Sequence, residues 1–129
     1  MEDRETLAYG PVGDVFVIIL RGDQTHEPEW RACMLEAMRT KGLSRVLLVP
    51  GDALPDVGQR HDLVELHEKH ALRLAVLSDL TATDRVVTAL RWGGMEAEGF
   101  GTDDLDGMLA FLDRPYVRAR MSSVLGPYL

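Results

Sequence analysis

One cysteine, Cys33, is all the thiol chemistry this 129-residue chain carries. With no second cysteine there is no internal disulfide, which fits a reducing compartment and leads to the expectation of a cytoplasmic protein. Long apolar runs are missing as well: no stretch approaches the ~18 apolar residues a membrane span requires. The opening residues MEDRETLAYG are charged and lack an apolar core, so no signal peptide is expected. Positive charge is in deficit, with 14 Lys and Arg against 21 Asp and Glu and a net charge of −7. That argues against a general nucleic-acid binder, whose affinity rests on neutralising phosphates. It argues equally against an anionic membrane surface as the main partner. No phosphate-cradling glycine loop is present: Gly10–Gly13 lacks a following helix and Lys, and Gly51–Gly58 is too sparse for the Walker or dinucleotide patterns.

What is present reads as one ordinary globular domain of 46% apolar and 27% charged residues. A chain of this size buries about two thirds of its unfolded surface, enough for one sizeable core. The organising stretch is Leu72–Gly94. Leu72, Leu74, Ala75, Val76 and Leu77 form an apolar run broken only by Arg73, which suits a strand covered on both faces. Ser78 and Asp79 end it. Thr81 and Asp84 have capping-box spacing. Thr83, Val86, Val87 and Leu90 fall on one helical face, and Gly93 and Gly94 suit a helix stop. A strand feeding a helix in this way is half of a βαβ unit.

The remaining elements follow from the same patterns. Glu5–Tyr9 and Asp14–Arg21 are strand candidates joined by a turn at Pro11–Asp14. Thr25 is placed to cap a helix that carries Trp30, Cys33, Met34, Ala37 and Met38 on one side and closes at Gly42. Arg45–Val49 is the next strand. Pro55–Asp56 opens a second helix with Leu63, Leu66 and His70 on one side. After the central unit come a short strand at Glu96–Phe100, a helix opened by Thr102, Asp103 and Asp104, and a final helix from Asp113 that breaks at Gly126–Pro127. The order β-β-α-β-α-β-α-β-α-α implies a single-domain α/β sandwich with a mixed, mostly parallel sheet of about five strands.

Candidate chemistry is thin. His67 and His70 lie one turn apart near Glu65 and Glu68, but they lack the HExxH spacing and a third ligand, so no metal centre and no cofactor are expected. Cys33 sits on an apolar helical face, where a thiol is buried and inert. Ser78 has no Gly-x-Ser-x-Gly elbow around it, and corner capping accounts for it better than catalysis. The acids are scattered, so no catalytic pair is nominated. Trp92 ends the central helix and suits either an interface hot spot or a cover for the core. Arg114, Arg118 and Arg120 make the last helix locally basic, which fits packing on its own domain or docking, including a homodimer.

The run RLAVLSD, then RVVTALRWGG, then EGFGTDDLDGMLAFL resembles the STAS-like proteins, relatives of bacterial anti-sigma-factor antagonists grouped with small STAS/SEC14-like domains. The residues that carry the resemblance are Ser78, Asp79, Arg85, Val86, Val87, Phe100, Asp103, Asp104, Phe111 and Leu112. It implies a non-enzymatic regulatory domain that binds a protein partner. Regulated members carry a phosphorylatable Ser near the start of the helix after the third strand. The matching segment here, GDALPDVGQR at residues 51–60, has no Ser or Thr, and only Asp52 and Asp56 supply negative charge there. The expected contact surface comprises Gly51, Asp52, Ala53 and Asp56 in one corner and Asp79, Thr81 and Thr83 in the next, with Trp92. A small-molecule or lipid carrier of the SEC14-like type, with an apolar cavity, is the second reading, and an enzyme of unassigned class the third.

Overall fold

Every residue of the segment Val15–Leu20 is buried, and its side chains alternate between two apolar clusters on opposite faces. A strand of that kind must be covered on both sides, and this requirement sets the architecture. The computed structural model describes all residues, 1–129. The strands are β1 (Glu2–Asp3), β2 (Leu7–Val12), β3 (Val15–Leu20), β4 (Arg45–Val49), β5 (Arg73–Leu77) and β6 (Glu96–Phe100). The helices are α1 (Glu27–Arg39), α2 (Val57–His70), α3 (Thr83–Trp92), α4 (Leu105–Phe111) and α5 (Arg118–Leu125), with short 3₁₀ turns at Pro115–Val117 and Gly126–Tyr128.

The six strands lie side by side in chain order. β1, β2 and β3 pair antiparallel, and β3 to β6 pair parallel. Each crossover from β3 onward steps one strand in the same direction, so α1, α2 and α3 share one face of the sheet. Phe16, Ile18, Val46, Leu48, Leu74 and Val76 meet Trp30, Cys33, Leu63, Leu66, Val87 and Leu90 there. On the opposite face Val17, Ile19, Leu47, Ala75 and Leu77 meet Met108 and Leu109 of α4, Leu112 just after it, and Met121 and Leu125 of α5. The apolar stripe of α5 is therefore buried against its own sheet.

Several expected boundaries move. The sheet has six strands, not about five, because Glu2–Asp3 pairs with Tyr9 and Ala8; two exposed residues carry no periodicity from which a strand is read. β2 begins at Leu7 and runs through Pro11, since β1 pairs only with Ala8 and Tyr9 and leaves the outer side of Pro11 without a ladder. The hairpin then turns on Gly13, at φ 61°. Helix α1 has its N-cap position at His26, not Thr25, and no side chain caps it; the His26 N–H instead donates to Thr6 Oγ1, in the segment before β2, at 2.9 Å. The Thr81–Asp84 box does not form. Helix α3 starts at Thr83 after Ala82, and the Thr83 hydroxyl donates back to Leu80 O at 2.7 Å. The last helix begins at Arg118 after a 3₁₀ turn, and the chain coils once more past Gly126.

Candidate functional site

Strands β3 to β6 run parallel, so the loops after them (residues 21–26, 50–56, 78–82 and 101–104) emerge at one end of the sheet. β4 and β5 are neighbours, so the two expected corners, Gly51–Asp56 and Asp79–Thr83, share this rim. The rim is acidic: Asp23, Asp52, Asp56, Asp79, Asp103 and Asp104 are all exposed on it.

Hydrogen bonds divide the rim into two halves. In the first, Asp52 N–H donates to Gly22 O at 2.9 Å and ties the loop after β4 to the loop after β3. Gly51 makes this approach possible, because a Cβ there would lie 2.6 Å from Gly22 O and 2.7 Å from Leu20 O. A cleft of about 510 Å³ lies between the two loops, and its lining includes Asp23, Gln24, His26, Ala53, Asp56 and Gln59. In the second half, Ser78 N–H donates to Phe100 O at 2.8 Å, and Thr102 N–H donates to Asp79 Oδ1 at 2.9 Å. The Thr102 hydroxyl also bonds Asp79 Oδ2. These bonds, the hydroxyl's first, hold the Asp79 carboxyl below the ordinary range and keep it charged. A smaller cleft of about 170 Å³ runs between these loops.

The eight candidate residues therefore do not form one constellation. Gly51, Asp52, Ala53 and Asp56 belong to the first half, and Asp79, Thr81 and Thr83 to the second. Trp92 stands apart from both. Helix α3 starts at the carboxyl rim and runs back, so Trp92, 87% exposed, ends beside the opposite rim and covers no core. Asp56 is occupied by structure: its Oδ1 accepts from Gln59 N–H at 2.8 Å, while its own N–H donates to Gln59 Oε1 at 2.9 Å. Asp52, one turn of chain earlier, has its side chain free and exposed.

Ser78 is a corner residue. Its Oγ accepts from Leu80 N–H at 3.1 Å and lies 2.9 Å from Thr83 Oγ1. Neither neighbour is a base. His67 Nδ1 accepts from Leu72 N–H at 2.9 Å, and His70 Nε2 donates to Met38 O at 3.1 Å, so both imidazoles brace backbone. Cys33 is fully buried, and burial pushes its thiol far above the ordinary range. What the rim offers is carboxylate charge in shallow polar clefts, which suits a cationic or hydrogen-bond-donating partner.

Sequence reasoning missed two groups of possible metal ligands: Glu5, His26 and Glu29 at the outer end of the rim, and His61, Asp62 and Glu65 along α2. In the first group His26 and Glu29 have i,i+3 spacing across the start of α1, but Glu5 comes from a segment that shares no period with them, so the sequence held no signal for the three together. No protein-family model, no curated protein and no solved structure matches the chain.

Proposed function

We propose that this chain is a non-enzymatic, STAS-like regulatory or interaction domain that binds a protein partner through the carboxyl rim of its sheet. The observation that carries the reading is the rim itself: adjacent parallel strands deliver two short acidic corners to one edge, above a sheet that is covered on both faces. The alternation of strands and helices along the chain supports the resemblance read from RLAVLSD and the helix after it. A partner suited to this edge presents Arg or Lys and backbone donors. The two halves of the rim act as neighbouring contact patches, with Asp52 the free carboxylate of one and Asp79 the oriented carboxylate of the other.

The carrier reading has less behind it. An apolar surface cleft bounded by Met34, Leu35 and Met38 holds about 160 Å³, below the roughly 300 Å³ at which ligand pockets begin. The test is affinity capture from lysate with wild type and with Asp23→Lys/Asp52→Lys. Neither aspartate side chain holds a loop in place, so the double variant keeps the fold and inverts the charge of one patch. A protein retained by wild type and lost by the variant supports the reading. Identical capture by both, or a lipid co-purifying in native mass spectrometry, overturns it.

A further inference from the structure

Three metal-ligating side chains converge at the outer edge of the contact surface proposed above. Glu5 precedes β2, His26 holds the N-cap position of α1, and Glu29 lies in the first turn of that helix. Each offers one ligand atom, and the three atoms lie within 4.8 Å of one another. His26 Nδ1 is 3.5 Å from Glu29 Oε2. That separation is long for an N–H···O hydrogen bond, for which about 2.9–3.0 Å is typical. It matches two ligands on one ion, since bonds of about 2.1 Å at the tetrahedral angle place donor atoms about 3.4 Å apart.

The cluster is also held in place from behind. Glu29 Oε1 accepts from both the N–H (2.8 Å) and the hydroxyl (2.7 Å) of Thr6, which is almost fully buried. Thr6 Oγ1 in turn accepts from the His26 N–H at 2.9 Å. One threonine thus orients the Glu29 carboxylate, anchors the backbone of His26, leaves Glu29 Oε2 on the His26 side, and sits next to the third ligand in sequence. Outer partners that fix ligating carboxylates are a working part of metal centres. The His26 side chain makes no capping bond, so the helix start does not account for an imidazole at this position.

We propose that Glu5, His26 and Glu29 form a binding site for a divalent first-row transition-metal ion. One imidazole and two carboxylates suit Zn²⁺, Mn²⁺ or Fe²⁺, whereas an all-oxygen site would favour Mg²⁺ or Ca²⁺. Three protein ligands leave at least one coordination position for water or another molecule. His26 also lines the 510 Å³ cleft, so the ion would sit at its border.

A second group, His61, Asp62 and Glu65, lies along α2 and provides the internal control. There Asp62 Oδ2 is taken by the indole N–H of the buried Trp30 at 2.8 Å. The experiment is calorimetric titration of the full chain with Zn²⁺ and with Mn²⁺ in phosphate-free buffer, with circular dichroism confirming the fold of each variant. Wild type is expected to bind one equivalent of Zn²⁺. His26→Ala and Glu5→Gln should each weaken it at least tenfold, Thr6→Val should weaken it about 10- to 100-fold, and His61→Ala should leave it unchanged. Glu5 and His26 are exposed, so their variants fold. Absence of saturable binding by wild type, binding indifferent to His26→Ala, or binding lost only with His61→Ala overturns the proposal.

Discussion

Arg45 and Arg73 stand side by side at the amino ends of β4 and β5, and each reaches a carbonyl at the close of α4. Arg45 Nε donates to Leu112 O at 2.6 Å, and Arg73 Nη1 donates to Phe111 O at 2.9 Å. Two like charges in register would repel. The negative end of α4 and Glu96, whose Oε2 accepts from Arg73 Nε at 2.9 Å, offset that repulsion. The pair therefore pins α4 to the sheet. Arg45→Met is expected to lower stability by about 1–2 kcal/mol, the usual cost of losing a charge-assisted bond to a half-buried carbonyl. A urea titration measures it, and an unchanged midpoint would show that α4 is held by apolar contact alone.

Gly51 marks the tightest backbone approach on the carboxyl rim. Gly51→Ala forces a Cβ to within 3.0 Å of backbone atoms of Leu20 and Gly22, so one loop must move. The expected loss is about 1–3 kcal/mol. In an amide exchange experiment the Asp52 N–H, which bonds Gly22 O, should lose protection before the β4 core does.

Trp92 is solvent-exposed, and Trp92→Ser should change the unfolding free energy by no more than about 0.5 kcal/mol in a urea titration, as for other surface positions. It should also leave binding at the carboxyl rim unaltered, because α3 separates the two. Loss of the captured partner in this variant would relocate the contact surface to the opposite rim.

The Arg114 guanidinium joins the start of the last helical segment to the β2–β3 turn, with Nε 2.7 Å from Asp14 Oδ1 and Nη2 2.7 Å from Asp14 Oδ2. The bond to Arg114 holds the Asp14 carboxyl below its ordinary 3.8. A carboxyl lowered on folding stabilises above its unfolded value, and the contribution is lost as pH falls through the folded value. Arg114→Gln should therefore be less stable than wild type at neutral pH, and the two should converge in strong acid. Denaturant titrations at several pH values check this; a gap that persists unchanged in acid would assign the effect of Arg114 to packing over Tyr116.

Cys33 should resist thiol reagents in the folded protein and react only on unfolding, since burial disfavours the thiolate. Rapid labelling of the native chain would contradict the packing of α1 on the sheet.

The α/β class, the alternation of strands and helices and the two-sided cover of the sheet were legible in the chain. Runs such as VFVIIL and RLAVL, and stripes such as Val86, Val87 and Leu90, are local patterns whose period reflects the surface they meet. The helix openings at Asp56 and within Thr102–Asp104 were legible from residue type, and there Asp56 and Asp104 each accept from the N–H three residues on. The Thr25 and Thr81 caps were misplaced because the hydroxyls that serve those corners, of Thr6 and Thr83, are selected by tertiary contact or lie one position inside the helix.

Local periodicity thus determined the class of fold, the faces of its elements and the acidity of the rim. The tertiary structure alone decided that each corner is tied to its outer neighbour, that Trp92 faces the other end, and that Glu5, His26 and Glu29 meet. Those relations depend on strand order and register, which bring together residues far apart in the chain, and no local pattern encodes them.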